Sequence, residues 1–124
     1  SKWEERIPIG SFGEGIWRIL GLILSLVAAK GGTLLIDEID AGMHHTAMPE
    51  VWRLLCSTAR KLNVQVFATT HSRDCKQSLA DTATEEEFVD MPIRIHRIEQ
   101  DKARPETFIN QEMHRALDQE AEAE

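Results

Sequence analysis

Thr33-Leu34-Leu35-Ile36-Asp37-Glu38-Ile39 decides how the rest of this chain is read. Leu34-Leu35-Ile36 is a short apolar run without polar alternation, and two adjacent carboxylates close it. Such a run suits a strand in a parallel sheet that is covered on both faces. The strand then delivers Asp37 and Glu38 to the rim of the sheet. Burying two neighbouring carboxylates is unfavourable unless a cation or hydrogen-bond donors compensate, so the pair is expected to mark a site.

The flanking segments supply the partners this strand needs. Residues 47–62 read as a helix with Pro49 in its first turn. Val51, Leu55, Ala59 and Leu62 form one stripe with Trp52 and Cys56, while Arg53, Ser57, Arg60 and Lys61 face out. Asn63 is expected to end this helix, and residues 64–68 read as a second strand. Strand, helix and strand with short joints form a βαβ unit, so the fold class is α/β with parallel strands.

Upstream, Ser11-Phe12-Gly13-Glu14 fits a capping box. It opens a helix over residues 15–29, apolar nearly all round and therefore expected to be buried on most sides. Lys30-Gly31-Gly32 stops it. Downstream, Ser72 is expected to cap a third helix that reaches about Asp81. Thr82-Ala83-Thr84 and Glu85-Glu86-Glu87 read as a loop. Residues 93–98 and 106–109 are expected to pair as a hairpin. Asn110 is then expected to cap a last short helix with Met113, Ala116 and Leu117, followed by a frayed Ala-Glu tail.

The 124 residues, 42% of them hydrophobic, are enough for one domain with a real core. A net charge of -7, from 14 basic and 21 acidic residues, argues against a bare nucleic-acid surface. Arg94, Arg97, Lys102 and Arg104 read first as a solvated hairpin face and second as a phosphate-binding strip. Cys56 and Cys75 do not make a metal-type pair and suit a reducing compartment. The most apolar segment, residues 16–29, is too short to span a bilayer and carries Arg18. A cytoplasmic protein with no membrane partner is therefore expected.

In parallel α/β sheets functional groups collect at the carboxyl ends of the strands. Asp37-Glu38 ends the first strand and Thr69-Thr70-His71-Ser72 the second. Adjacent strands lie roughly 5 Å apart, so adjacency would place these carboxylates and His71 in one cleft. Residues 11–15 form a third element, because glycines and a serine at a helix N-terminus suit an anion such as phosphate.

Ser11-Phe12-Gly13-Glu14, the run 33–38 and Thr69-Thr70-His71-Ser72, in this order, resemble the carboxyl-terminal half of an ABC-type ATPase head. The closest branch is that of the AAA-type ATP-binding proteins related to the OLD and SMC families. The resemblance covers residues 8–81 and leaves 82–124 as a hairpin and helix extension. It implies a parallel-sheet P-loop NTPase lobe, with ATP and Mg²⁺ as cofactors. It also implies that Ser11 and Gly13, with Glu14 beside them, form the signature motif that meets nucleotide held by a second head. Phe12 stands where many transporters have glycine. By the same resemblance Asp37 holds Mg²⁺ through water, Glu38 polarises the attacking water, and His71 senses the γ-phosphate. Residues 41–44 follow as the loop near the dimer seam, with His44 where transporters usually carry aspartate. His45 has no counterpart and reads as surface.

A Gly-x4-Gly-Lys-Ser/Thr loop is indispensable to such an ATPase, and this chain contains no Gly-Lys dipeptide. The P-loop is expected on a further segment or subunit, with complete heads pairing as a homodimer. Two other readings stay open. One is a non-catalytic interaction module derived from such an ATPase. The other is a metal-dependent hydrolase using Asp37, Glu38, His44, His45 and His71, although adjacent His44 and His45 do not easily face one ion.

Overall fold

The computed structural model describes residues 14–101 and 103–123; of Glu14, Gln111 and residues 120–123 only the backbone is described. Ser11, Gly13 and the apolar residues of 3–9 lie outside this range. The chain divides into two compact units, the first ending at His71 and the second beginning at Ser72.

The first unit is α/β. It contains α1 (Glu14–Ala28), β1 (Thr33–Ile36), a 3₁₀ turn (His45–Ala47), α2 (Met48–Leu62) and β2 (Gln65–Ala68). β1 and β2 pair in parallel, with Thr33 opposite Gln65 and Ile36 opposite Ala68. α2 follows from its sequence signals. Pro49 and Glu50 occupy the first turn, Arg60 and Lys61 the last, in the order that suits the helix dipole. Asn63 ends it in the left-handed region (φ 53°, ψ 51°), and its N–H donates to the Ala59 and Arg60 carbonyls. Met48, Val51, Trp52, Leu55, Cys56 and Ala59 form the buried face. Gly31, at φ 76°, turns the chain from α1 into β1 while its N–H reaches the Leu62 carbonyl at 2.9 Å.

Two expectations about burial are corrected here. α1 was expected to be covered on most sides, yet Trp17, Leu20, Leu24 and Val27 are exposed. The helix meets α2 through Ile19, Leu22 and Ile23 against Val51, Leu54 and Leu55, and one neighbouring helix covers one side only. The sheet was expected to be covered on both faces. Instead Leu35 is 75% exposed and its register partner Phe67 50%. A β-strand presents alternate residues to opposite faces, and in this two-stranded sheet the face opposite Ile36 is open.

The second unit contains α3 (Arg73–Ala83), the antiparallel hairpin β3 (Arg94–Arg97) and β4 (Glu106–Ile109), a 3₁₀ turn (Asn110–Glu112) and α4 (Met113–Ala123). Ser72 caps α3, its hydroxyl accepting the Cys75 N–H at 3.2 Å. The core joins Ala80 and Ala83 to Met113 and Leu117, with Ile93, Ile95 and Phe108 of the hairpin against them. α4 continues to Ala123, where the alternating Ala-Glu tail was expected to fray.

Asn110 was expected to cap the last helix; it is buried instead. Its amide donates to the carbonyls of Ala83, Phe88 and Met91, and its carbonyl accepts the Ile93 N–H. One asparagine amide thus reaches the last carbonyl of α3 and two carbonyls of the following loop, which also accept the Met91 and Ile93 N–H groups. Arg97, expected on a solvated hairpin face, is instead partly covered. It donates to Glu106 and to the Ala116 carbonyl, and its guanidinium lies 5.1 Å from the Phe108 ring centroid.

Candidate active site

β1 and β2 end at the same rim, and the chain stays stitched beyond their last residues. The Thr69 N–H donates to the Ile36 carbonyl at 2.9 Å, and the Ile39 N–H to the Thr69 carbonyl at 3.0 Å. Thr69 therefore sits beside Asp37 and Glu38 by register. Its hydroxyl donates to Asp37 Oδ1 at 2.6 Å and accepts the Glu38 N–H at 2.8 Å. One hydroxyl thus fixes the first carboxylate and the backbone of the second. The next pair repeats the pattern, with the Thr70 hydroxyl donating to Asp40 Oδ1 at 2.6 Å.

Between these anchors the backbone leaves the strand abruptly. Glu38 has φ 48°, a conformation that for an L-residue other than glycine costs roughly 1–2 kcal/mol. The guanidinium of Arg18, from α1, donates to the carbonyls of both Asp37 and Glu38 at 3.2 Å each. Ile39 is fully buried just beyond, pinning the far side of the turn. Strain of this kind, held by specific bonds beside a carboxylate pair, concentrates at functional sites.

The burial argument for the carboxylates is corrected: Asp37 and Glu38 are both exposed. The Thr69 hydroxyl bonds the Asp37 carboxylate, and the pair is a rim that faces solvent and not a buried charge cluster. His71 is likewise exposed, two residues past Thr69 on the same outgoing chain. His44 lies elsewhere in its bonding. It caps the 3₁₀ turn, its Nδ1 is 2.9 Å from Thr46 Oγ1, and its ring centroid lies 4.3 Å from that of His45. Among the described residues no hydrogen bond joins His44 to Asp37 or Glu38. Glu14 is the first residue of α1. A β-carbon at Gly15 would stand 3.8 Å from the Gly42 carbonyl oxygen, so the start of α1 lies beside the turn 41–44. Ser11 and Gly13 fall outside the described residues.

Sequence reasoning missed Arg18, and it read Thr69 only as part of a polar strand end. A signal for Arg18 existed, since it is the one charged residue in the apolar run 15–29. Among the described residues no group of three or more His, Cys, Asp or Glu is placed to hold a metal unaided. The rim offers one oriented carboxylate with a second next to it. That donor set fits Mg²⁺, which keeps several waters and binds through one or two carboxylates plus substrate phosphates. No helix among the described residues is long and apolar enough to cross a membrane.

Comparison with known proteins adds the lineage. Residues 4–74 match the family described as "AAA domain, putative AbiEii toxin, Type IV TA system". An ATP/GTP phosphatase of Helicobacter pylori is 30% identical over 92 residues, covering 68% of this chain and 24% of that protein. An uncharacterised protein of Methanocaldococcus jannaschii is 35% identical over 74 residues, covering 60% of this chain and 65% of that protein. The chain therefore spans about a quarter of the first relative and just under two thirds of the second. No solved structure matches it. The family match takes in α1, both parallel strands and the whole rim from Asp37 to His71, more than half of the sequence, and by it the chain belongs to this AAA-domain family, which is related to the P-loop NTPases.

Proposed function

We propose that the chain is the carboxyl-terminal part of an ATP-binding and ATP-hydrolysing head of the ABC type, in the OLD and SMC branch. Complete heads would work by nucleotide-driven dimerisation, with the P-loop supplied by a further segment or subunit. The observation that carries this reading is the Asp37-Glu38 turn: adjacent carboxylates at a parallel-sheet rim, the second held in a left-handed conformation between Thr69 and Arg18. Family membership supports it, and so does the nucleotide chemistry in the name of the Helicobacter relative.

In this reading Asp37, its Oδ1 kept in place by Thr69, would hold Mg²⁺. The ion's contribution is to neutralise charge on the phosphoryl group in flight. Glu38 orients the attacking water and accepts its proton, which requires an exposed carboxylate at a fixed backbone position. His71 donates to the γ-phosphate. Ser11, Gly13 and Glu14 contact nucleotide bound by the opposite head, and His44 lies near that seam.

The test is Mg²⁺-dependent ATP hydrolysis by the chain alone and mixed with a lobe that carries a P-loop. Turnover is expected only on mixing, and Glu38→Gln is expected to lower it by at least about 100-fold, the usual scale for a general base. Turnover that survives Glu38→Gln, or folded and complexed protein with none at all, contradicts the reading. The second outcome favours a non-catalytic interaction module, for which the exposed Leu35 and Phe67 are the supporting observation.

A further inference from the structure

We infer that Arg18 is the positioning residue of this rim, holding the Asp37-Glu38 turn in its left-handed conformation; the inference deepens the proposed ATPase reading and rests on it for its functional arm. In an extended strand successive carbonyls point to opposite sides, as successive side chains do. Here the carbonyls of Asp37 and Glu38 both accept from one terminal nitrogen of Arg18, at 3.2 Å each. That is possible only because the chain turns at Glu38, where φ is 48°. The guanidinium is thus matched to the turned state and not to a continued strand.

Four further observations point the same way. Arg18 is the only charged side chain in the run 15–29. Its Nε is buried with no hydrogen-bond partner among the described residues, an unfavourable arrangement for a donor. The two carbonyls therefore govern where this side chain lies. Thr69 grips the opposite side of the same turn, taking the Glu38 N–H on its hydroxyl and the Ile39 N–H on its carbonyl. The amide side of the turn is fixed by β2 and the carbonyl side by α1. Arg18 lines the groove between α1 and β1 together with Trp17, Gly21, Ser25, Leu35 and Asp37, so its charge also faces the carboxylate end of the strand.

Amide hydrogen exchange on the chain, comparing wild type with Arg18→Met and Arg18→Lys, tests the structural arm. Methionine keeps the apolar stem, and lysine keeps the charge but loses the planar fork. Exchange at Glu38 and Ile39 is expected to quicken at least tenfold in both variants, with the Leu55 and Ala59 amides of α2 unchanged. Unchanged exchange at Glu38 and Ile39 overturns the inference. So does equal acceleration in α2, which would make Arg18 a general stabiliser. In the assembled head, kcat is expected to fall at least tenfold in both variants with KM for ATP within twofold, and a fall confined to KM overturns the positioning role. If the wild-type head hydrolyses no ATP, the ATPase reading fails, and the exchange result still decides whether Arg18 holds the turn.

Discussion

Glu38 stands where the needs of stability and of the proposed chemistry diverge. A left-handed conformation suits glycine, yet the chain places there a side chain with a carboxylate. Glu38→Gly is therefore expected to stabilise the protein by about 1 kcal/mol in urea unfolding, because the strain is relieved and only an exposed side chain is lost. The same variant is expected to abolish turnover in the assembled head. A loss of stability would mean that Glu38 is held by contacts beyond those of its backbone. Thr69→Val keeps the shape and removes the hydroxyl that serves both Asp37 and the Glu38 N–H. It is expected to lower stability by about 1–2 kcal/mol. A neutral result would show that water replaces the hydroxyl at this rim. The carboxylate pair was legible in the sequence because two charged residues interrupt an apolar strand. The clamps around it were not, because Arg18 lies 19 and 20 residues from its two acceptors, and Thr69 lies 31 and 32 from its partners. Only the folded register brings those groups together.

Among the elements, legibility follows the strength of the local signal. α2 was readable from its apolar period, Pro49 and the asparagine stop, and its bounds differ from the expected helix by one residue. The hairpin was readable from alternation, and its two strands pair where expected. Asn110 was misread because a helix cap and a buried clamp use the same side chain, and the distinction depends on three carbonyls contributed from residues 83–91. That arrangement predicts a particular order of variants. Asn110→Ala is expected to destabilise the second unit by about 1–2 kcal/mol, since the Ala83 carbonyl loses its amide donor while the Phe88 and Met91 carbonyls keep backbone N–H partners. Asn110→Asp is expected to cost at least as much, because a carboxylate facing three carbonyls keeps the acceptor for Ile93 and loses every donor. Thermal unfolding of both variants checks this, and an aspartate variant markedly more stable than the alanine variant would refute the clamp.

For the whole molecule, the sequence reading overstated how much of the apolar surface this chain covers by itself. A uniformly apolar helix and strand led to the expectation of a core on every side, but Trp17, Leu24, Leu35 and Phe67 remain exposed. Hydrophobicity says what benefits from burial, and not which neighbour covers it. Leu35→Thr and Phe67→Thr are therefore expected to change the unfolding free energy by no more than about 0.5 kcal/mol each in urea denaturation. A cost of about 2 kcal/mol or more, the scale of a buried position, would show that this face is covered in solution. The family match covers residues 4–74, and the chain covers 24% of its Helicobacter relative. In the proposed ATPase Glu38 performs the hydrolytic step and not nucleotide binding. The most direct measurement is a single-turnover reaction with radiolabelled ATP and Mg²⁺ in the assembled head, comparing wild type with Glu38→Gln. The variant is expected to retain unhydrolysed ATP while wild type converts it to ADP and phosphate. Conversion at the same rate in both would contradict this role of Glu38.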